Sequence, residues 1–205
     1  LAHRFPDHLI SSWSALAAAI SDGAPGHFGL TDPRKSGAGA VSLFSMAKEW
    51  ATDHGQTPRQ AVHNPALWAW LARFEKNAPG NPPQTEAMVK DMVLGTTDRY
   101  WWSIAYESDA LNWMTQGKPL EIYYLPHTSY ADHPYCYVDR VGVPPEAMQA
   151  RVSFEKYLRS DTVQKSLLLH GFRPTEIGLD TPITGNTFTN PVFRKHGARA
   201  TNLPP

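Results

Sequence analysis

Three small residues, Ser36, Gly37 and Ala38, could hold an anion through their backbone amides. They follow a turn signal at Asp32-Pro33 and precede apolar residues at helical spacing, which predicts the start of a helix. The first amides of a helix have no partner within it and carry partial positive charge. The Ser36 hydroxyl would add a donor, and glycine leaves space for a ligand. The same residues also suit an ordinary helix cap, so the pattern alone leaves both interpretations open.

Tyr106 is a second candidate donor, because a phenol can donate one hydrogen bond to an oxyanion. It ends an aromatic segment, so it could equally be a strand-end residue packed in a core. Arg34 and Lys35 could steer anions, although loop charges usually only solvate a surface. A carboxylate at Glu107 would repel an anion unless it turned away, and we expect it to fix neighbouring backbone. The candidate ligand-binding residues are Thr31, Ser36, Gly37, Ala38 and Tyr106.

A metal site is the alternative interpretation. His127, His133 and Cys136 lie on one short stretch near Asp132 and Asp139, and all these side chains can bind zinc or copper. Their spacing matches no standard zinc pattern, and residues 133 and 136 would point to opposite faces of a continuous strand. Scattered surface and edge residues are the plainer explanation of this stretch.

Motifs for catalysis are absent from the chain. It contains no Gly-x-Ser-x-Gly elbow, no phosphate loop ending in Gly-Lys-Ser/Thr and no His-Glu-x-x-His helix. Cys136 with a histidine could in principle form a nucleophile pair, but nothing local supports it. We therefore expect a binding protein that needs no cofactor, and not an enzyme.

The composition indicates a folded protein with no general attraction for polyanions. Nineteen basic residues balance nineteen acidic ones among 205, so we expect no nucleic-acid partner. The single cysteine excludes an internal disulfide, and no apolar run is long enough for insertion into a membrane. Residues 1–6 lack the apolar core of a signal peptide, so we expect any leader to have been removed before Leu1.

Predicted strands and helices alternate along the sequence and could position these residues. This alternation predicts an α/β fold with a largely parallel sheet. Such folds bind ligands at the carboxyl ends of strands, here the loop at residues 31–39 and the stretch at 106–108. The last thirty or so residues show no period and should wrap over a surface. Helices are predicted near residues 12–21, 36–54, 64–77, 84–94, 109–114, 144–158 and 162–170, and strands near 27–31, 100–106, 120–125 and 135–141.

Three sequence blocks occur in a characteristic order. The first is Thr31-Asp32-Pro33-Arg34-Lys35-Ser36-Gly37-Ala38-Gly39, and the second is Ile104-Ala105-Tyr106-Glu107-Ser108-Asp109-Ala110-Leu111. The third runs from His133-Pro134 through Val138-Asp139, residues 149–158 and Val163-Gln164 to Gly171-Phe172-Arg173-Pro174. Together they resemble the type II periplasmic binding proteins of the sulfate, thiosulfate and molybdate branch.

The resemblance implies two lobes of parallel or mixed sheet flanked by helices, with the ligand between them. Residues 1–124 would form the second lobe, and residues 125–205 the hinge and the C-terminal part of the first lobe with its wrapping tail. The family has a strand-helix-strand region before the Trp-containing helix that is nearly all missing here, so we expect an incomplete first lobe.

The resemblance also implies a function. Ser36 and the following amides would bind a tetrahedral oxyanion such as sulfate or molybdate, and Tyr106 takes the place of a ligand-binding aromatic residue in the family. We expect a monomeric periplasmic or extracellular protein that serves an ABC-type permease or a sensor. The alternative is a periplasmic metal-binding protein that uses His127, His133 and Cys136.

Overall fold

The computed structural model describes residues 11–23, 26–95, 99–125, 129, 131, 133–138 and 140–173. The chain divides into two compact units, whose boundary in the sequence lies between Ala131 and Asp132. The predicted wrapping tail lies outside the described residues. No helix in the described ranges has both the length and the apolar character needed to cross a membrane.

The described part of the first unit contains most of the elements. The helices are α1 (Trp13–Ser21), α2 (Gly37–Asp53), α3 (Pro58–Ala61), α4 (Pro65–Asn77), α5 (Thr85–Leu94) and α6 (Glu107–Thr115), and the strands are β1 (Phe28–Gly29) and β2 (Trp102–Ser103). The second unit contains α7 (Pro145–Leu158) and α8 (Asp161–Leu169). All seven predicted helices are confirmed near their expected bounds.

Local signals set the ends of these helices. The Ser12 hydroxyl accepts a hydrogen bond from the Ala15 amide at 2.9 Å and so caps α1. Asn64 caps α4, whose first residue is a proline that needs no amide partner. The sequence interpretation missed α3, a four-residue helix closed by a capping box between Thr57 and Gln60. Four residues are too few to show a helical period.

The sheet is smaller than predicted. β1 pairs with β2 in parallel, with Phe28 opposite Trp102 and Gly29 opposite Ser103. A Cβ on Gly29 would lie 2.8 Å from the Ser103 Cβ, so glycine permits this close pairing. Further hydrogen bonds extend the pairing on each side, from the Trp101 amide to the His27 carbonyl and from the Ile104 amide to the Gly29 carbonyl.

The predictions of strands at 120–125 and 135–141 were wrong for the residues that the structure describes there. Neither segment has a neighbouring strand in the described chain, and an extended segment needs such a partner for its amides and carbonyls. Burial does not alternate in the second segment either, because Val138 and Val141 are both highly exposed. The described fold is therefore a helix-rich α/β arrangement with one small parallel sheet.

Aromatic side chains around Phe74 form the core of the first unit. Phe74 is fully buried, with its ring centroid 5.3 Å from Trp70, 5.6 Å from Phe28 and 6.4 Å from Trp13. These contacts join β1 to α1 and α4. Each aromatic ring buried in this way stabilises a fold by several kcal/mol, about 3–5 kcal/mol for a buried Phe compared with Ala.

The second unit has a different character. α7 packs against α8, and none of its residues is buried. The Tyr135 ring meets Phe154 edge to face at 5.6 Å, and the Arg151 guanidinium lies 4.5 Å from the centre of the Tyr137 ring. Aromatic and cation–π contacts at the surface thus supply part of the packing here.

A buried carboxylate ties α2 to the start of α1. Glu49 is 3% exposed, and its Oε1 accepts the Ser14 amide at 2.9 Å. The Ser14 hydroxyl donates to Asp53 Oδ2, also at 2.9 Å, but at the exposed surface. Negative charge at a helix N-terminus is favourable, so this arrangement stabilises α1 and sets its position on α2.

Glu49→Ala should lower the free energy of unfolding by about 1–3 kcal/mol, because it leaves the partly buried Ser14 amide without its acceptor. Urea denaturation followed by circular dichroism would measure the loss. Asp53→Ala removes only the exposed bond to the same serine and should change stability by less than about 0.5 kcal/mol. Equal effects of the two variants would contradict the role given to Glu49.

Candidate functional site

A tight turn at Asp32 leads from β1 into α2. The Asp32 carbonyl accepts the amides of Lys35 at 3.0 Å and Ser36 at 2.9 Å, and the Asp32 amide donates to the Pro82 carbonyl at 3.0 Å. The buried carboxylate accepts the Arg34 amide at 3.0 Å, as in an Asx turn. Backbone and side chain of one aspartate therefore hold the residues that precede the helix.

The same aspartate neutralises one of the two basic residues in the loop. The Arg34 guanidinium donates to both carboxylate oxygens of Asp32, at 3.0 and 2.9 Å, while remaining 84% exposed. These hydrogen bonds and the guanidinium charge lower the pKa of Asp32 from 3.8 to about 2. Lys35 forms no ion pair with any described residue. Of the two residues expected to steer anions, Lys35 is the one without an ion pair among the described residues.

The Ser36 hydroxyl is held as a donor at the N-cap of α2. Its Oγ accepts the Thr31 hydroxyl at 3.0 Å and the Gly39 amide at 3.4 Å, which uses both lone pairs. The Ser36 proton can then go to Thr85 Oγ1, at 3.3 Å, or to a ligand. Thr31 and Thr85 are both buried. The Ser36 amide is already bonded to Asp32, so it does not contribute in the way the sequence interpretation supposed.

The next two amides are available in the described structure. Gly37 and Ala38 are the first two residues of α2, and their amides have no acceptor among the described residues. Gly37 is exposed, whereas Ala38 is buried. A helix start of this kind offers two amide donors together with the positive end of a 17-residue helix.

The structure brings Tyr106 to this helix start from a distant part of the sequence. Tyr106 is the N-cap residue of α6, and its hydroxyl lies 3.1 Å from the position that a Cβ on Gly37 would occupy. Tyr106 is half-buried, so part of this residue remains accessible. Among the predicted residues, Thr31, Ser36, Gly37 and Tyr106 therefore lie close together.

Sequence reasoning missed Thr85, which brings a third helix to the same place. Thr85 is the first residue of α5, and its contact with Ser36 joins the start of α5 to the start of α2. Nothing in the local sequence predicts a contact across 49 residues.

Glu107, the first residue of α6, accepts a hydrogen bond from the Tyr124 hydroxyl.

The alternative metal residues show no cluster where the structure describes them. His127 lies outside the described residues. The His133 ring meets Phe172 edge to face at 6.1 Å, and Cys136 is a free, exposed thiol. Within the described ranges, no three His, Cys, Asp or Glu side chains are grouped as metal ligands. The metal interpretation is not favoured.

Comparison with known proteins identifies the class. The family model for bacterial extracellular solute-binding proteins matches residues 3–173, and the chain belongs to this family. No curated protein and no solved structure gave a significant match. Membership means a small-molecule ligand, a role in solute transport and a location outside the cytoplasm. Members of such families are in general not enzymes, and the helix-rich α/β fold is compatible with this class.

The lowered pKa of Asp32 predicts how the loop responds to acid. A carboxyl whose pKa falls on folding stabilises the folded state fully above its unfolded value of 3.8, and this contribution is lost as pH falls through about 2. Wild type should therefore lose stability more steeply than Asp32→Asn between about pH 4 and pH 2. Denaturant titrations at a series of pH values would measure both slopes. Parallel curves would show that the ion pair does not affect stability.

Gly39 and Gly37 should respond differently to alanine. A Cβ on Gly39 would clash with the Thr31 carbonyl oxygen and lie 3.1 Å from the Pro33 Cα, so Gly39→Ala should cost about 1–3 kcal/mol in a denaturation experiment. A Cβ on Gly37 would meet only the end of the Tyr106 side chain, which can move. Gly37→Ala is the matched control and should keep or slightly raise stability. The reverse order would contradict this packing.

Proposed function

We propose that this solute-binding protein holds a small tetrahedral oxyanion, such as sulfate or molybdate, at the start of α2. The observation that carries the proposal is the pair of available amides at Gly37 and Ala38, beside a Ser36 hydroxyl whose acceptor positions are already filled. Tyr106 adds a phenol next to Gly37, and Thr31 holds Ser36 in place. The resemblance of the ordered sequence blocks to the sulfate and molybdate branch supports the same ligand class.

The proposed chemistry uses dipoles without a bound cation. Amides at a helix start, a serine hydroxyl and a tyrosine hydroxyl are all donors, and together they suit oxygens that carry negative charge and no proton. Asp32 has already bound the Arg34 guanidinium, so the charge of that arginine is not needed to hold the ligand. The ligand would be recognised by its shape and by the number of its acceptors.

The proposal extends to the arrangement of the chain. We infer a type II binding protein in which residues 1–124 belong to the second lobe and residues 125–205 to the hinge and the C-terminal part of the first lobe. The order of the three sequence blocks supports this assignment. In that arrangement the protein, a monomer, would close over the solute and deliver it to an ABC-type permease or signal its presence.

Ligand titration provides the direct test. Sulfate, molybdate, tungstate and phosphate should be added separately to the full chain and followed by calorimetry and by thermal unfolding. A ligand that binds only the folded state stabilises it by a free energy of RT ln(1 + [L]/Kd), and the melting temperature rises as a result. At least one tetrahedral oxyanion should bind and shift the melting temperature. The absence of binding by all four would refute the oxyanion proposal.

A pair of serine variants separates the site from the fold. Ser36→Asp keeps a good N-cap on α2 but places a carboxylate against the ligand, so affinity should fall by at least about 100-fold. Ser12→Asp makes the same change at the N-cap of α1 and should leave affinity unchanged. Calorimetry would give both dissociation constants. Wild-type affinity in Ser36→Asp would remove this helix start from the binding site.

A further inference from the structure

Thr85 is a buried polar residue beside the proposed site, and the three sequence blocks do not include it. It is the first residue of α5 and is only 5% exposed. Its Oγ1 lies 3.3 Å from the Oγ of Ser36, the N-cap residue of α2. The fold thus places a second hydroxyl directly against the Ser36 hydroxyl at the start of α2.

The hydrogen bonds at Ser36 decide which of these two hydroxyls donates to the other. Each hydroxyl has one proton to donate and two lone pairs that can accept. Both lone pairs of Ser36 Oγ are occupied, by the Thr31 hydroxyl at 3.0 Å and by the Gly39 amide at 3.4 Å. In the contact between Ser36 and Thr85, Ser36 is therefore the donor and Thr85 the acceptor.

The proton of the Thr85 hydroxyl is then left without an acceptor among the described residues. Buried hydroxyls are as a rule hydrogen-bonded, so a donor with this degree of burial needs an acceptor. The nearby starts of α2 and α5 expose backbone amides, which are themselves donors. An anion at the start of α2 would supply the acceptor that the described residues do not.

We propose that the Thr85 hydroxyl donates directly to the bound oxyanion, so that Thr85 and Ser36 together hold one of its oxygens. The inference rests on the proposed oxyanion function and adds a further ligand-binding residue to it. Hydrogen bonds from hydroxyls to anionic oxygens are about 2.5–2.7 Å long. One oxygen can lie at that distance from two Oγ atoms that are 3.3 Å apart. On binding, the Ser36 proton turns from Thr85 to the same oxygen.

The two threonines that contact Ser36 therefore have different roles. Thr31 donates its only proton to Ser36, so it acts on the ligand through Ser36 and is a positioning residue. Thr85 keeps its own proton for the ligand. Loss of the Thr85 hydroxyl should weaken binding whether or not residue 36 carries a hydroxyl, whereas loss of the Thr31 hydroxyl should matter only when it does.

Single variants of the full chain test the contribution of Thr85. Inorganic sulfate is the first probe, followed by calorimetry; if it does not bind wild type, the tetrahedral oxyanion that binds most tightly replaces it. Thr85→Val removes the hydroxyl and keeps the outline of the side chain. It should weaken binding by at least about tenfold, the scale of a hydrogen bond to a charged group. Thr85→Ser keeps the hydroxyl and should stay within about threefold of wild type.

Thr52→Val is the matched control. Thr52 lies in the last turn of α2, and its hydroxyl donates to the Lys48 carbonyl at 2.9 Å. Its removal takes the same atom from the same helix that begins at the site, and affinity should not change. Thermal unfolding of each unliganded variant, followed by circular dichroism, checks that it is folded before its affinity is compared.

A double-mutant cycle separates direct donation from positioning. In a Ser36→Ala background, Thr85→Val should still weaken binding by about tenfold. In the same background, Thr31→Val should have no further effect. Ser36→Ala alone should keep measurable affinity, because the Gly37 and Ala38 amides and the Thr85 hydroxyl remain.

The outcomes distinguish this inference from the function on which it rests. Wild-type affinity in Thr85→Val, or a loss that disappears in the Ser36→Ala background, would overturn direct donation by Thr85 and leave the oxyanion site intact. An equal loss in Thr85→Ser, or complete loss of binding in Ser36→Ala, would overturn it as well. Failure of sulfate, molybdate, tungstate and phosphate to bind wild type would overturn both the inference and the proposed function.

Discussion

The interaction on which the site depends is the turn at Asp32. One residue uses its amide, its carbonyl and its carboxylate to hold the residues before α2. Further along, α2 is anchored by buried Met46 and Trp50 in the aromatic core. A helix that is fixed in its interior and at its N-cap residue has little freedom at its N-terminus. The amides of Gly37 and Ala38 are therefore preorganised, and binding need not order them.

Hydroxyl groups connect the start of α2 to a neighbouring helix start. Thr31 and Thr85 are both buried, and each hydroxyl is within hydrogen-bond distance of Ser36 Oγ. Because buried hydroxyls must keep hydrogen-bond partners, this series of hydroxyl contacts fixes the Ser36 side chain as well as its backbone. Tyr106 completes the group through a contact that Gly37 leaves open. The arrangement joins the starts of α2, α5 and α6 without a charged residue at its centre.

Sequence reasoning predicted the local features and missed those that depend on distant partners. The helices followed from caps and apolar spacing, both of which act within a few residues. The segment at residues 135–141 is rich in aromatic and β-branched residues, yet its described residues pair with no strand, since pairing needs a neighbour that composition does not supply. The nearness of Ser36 and Tyr106 was implied by the family resemblance. Thr85 could not be found, because its contact with Ser36 forms only when two helix starts that are distant in the sequence meet.

The two glycines at the start of α2 should follow different evolutionary constraints. Gly39 lies against the Thr31 backbone, where any side chain would collide. Gly37 faces outward, toward the Tyr106 hydroxyl. Related chains should thus retain the glycine at the position of Gly39 whatever solute they bind. The residue at the position of Gly37 should vary as their solutes differ. A change of ligand within such a lineage could then proceed through Gly37 and its surroundings while the turn that holds the helix is inherited unaltered.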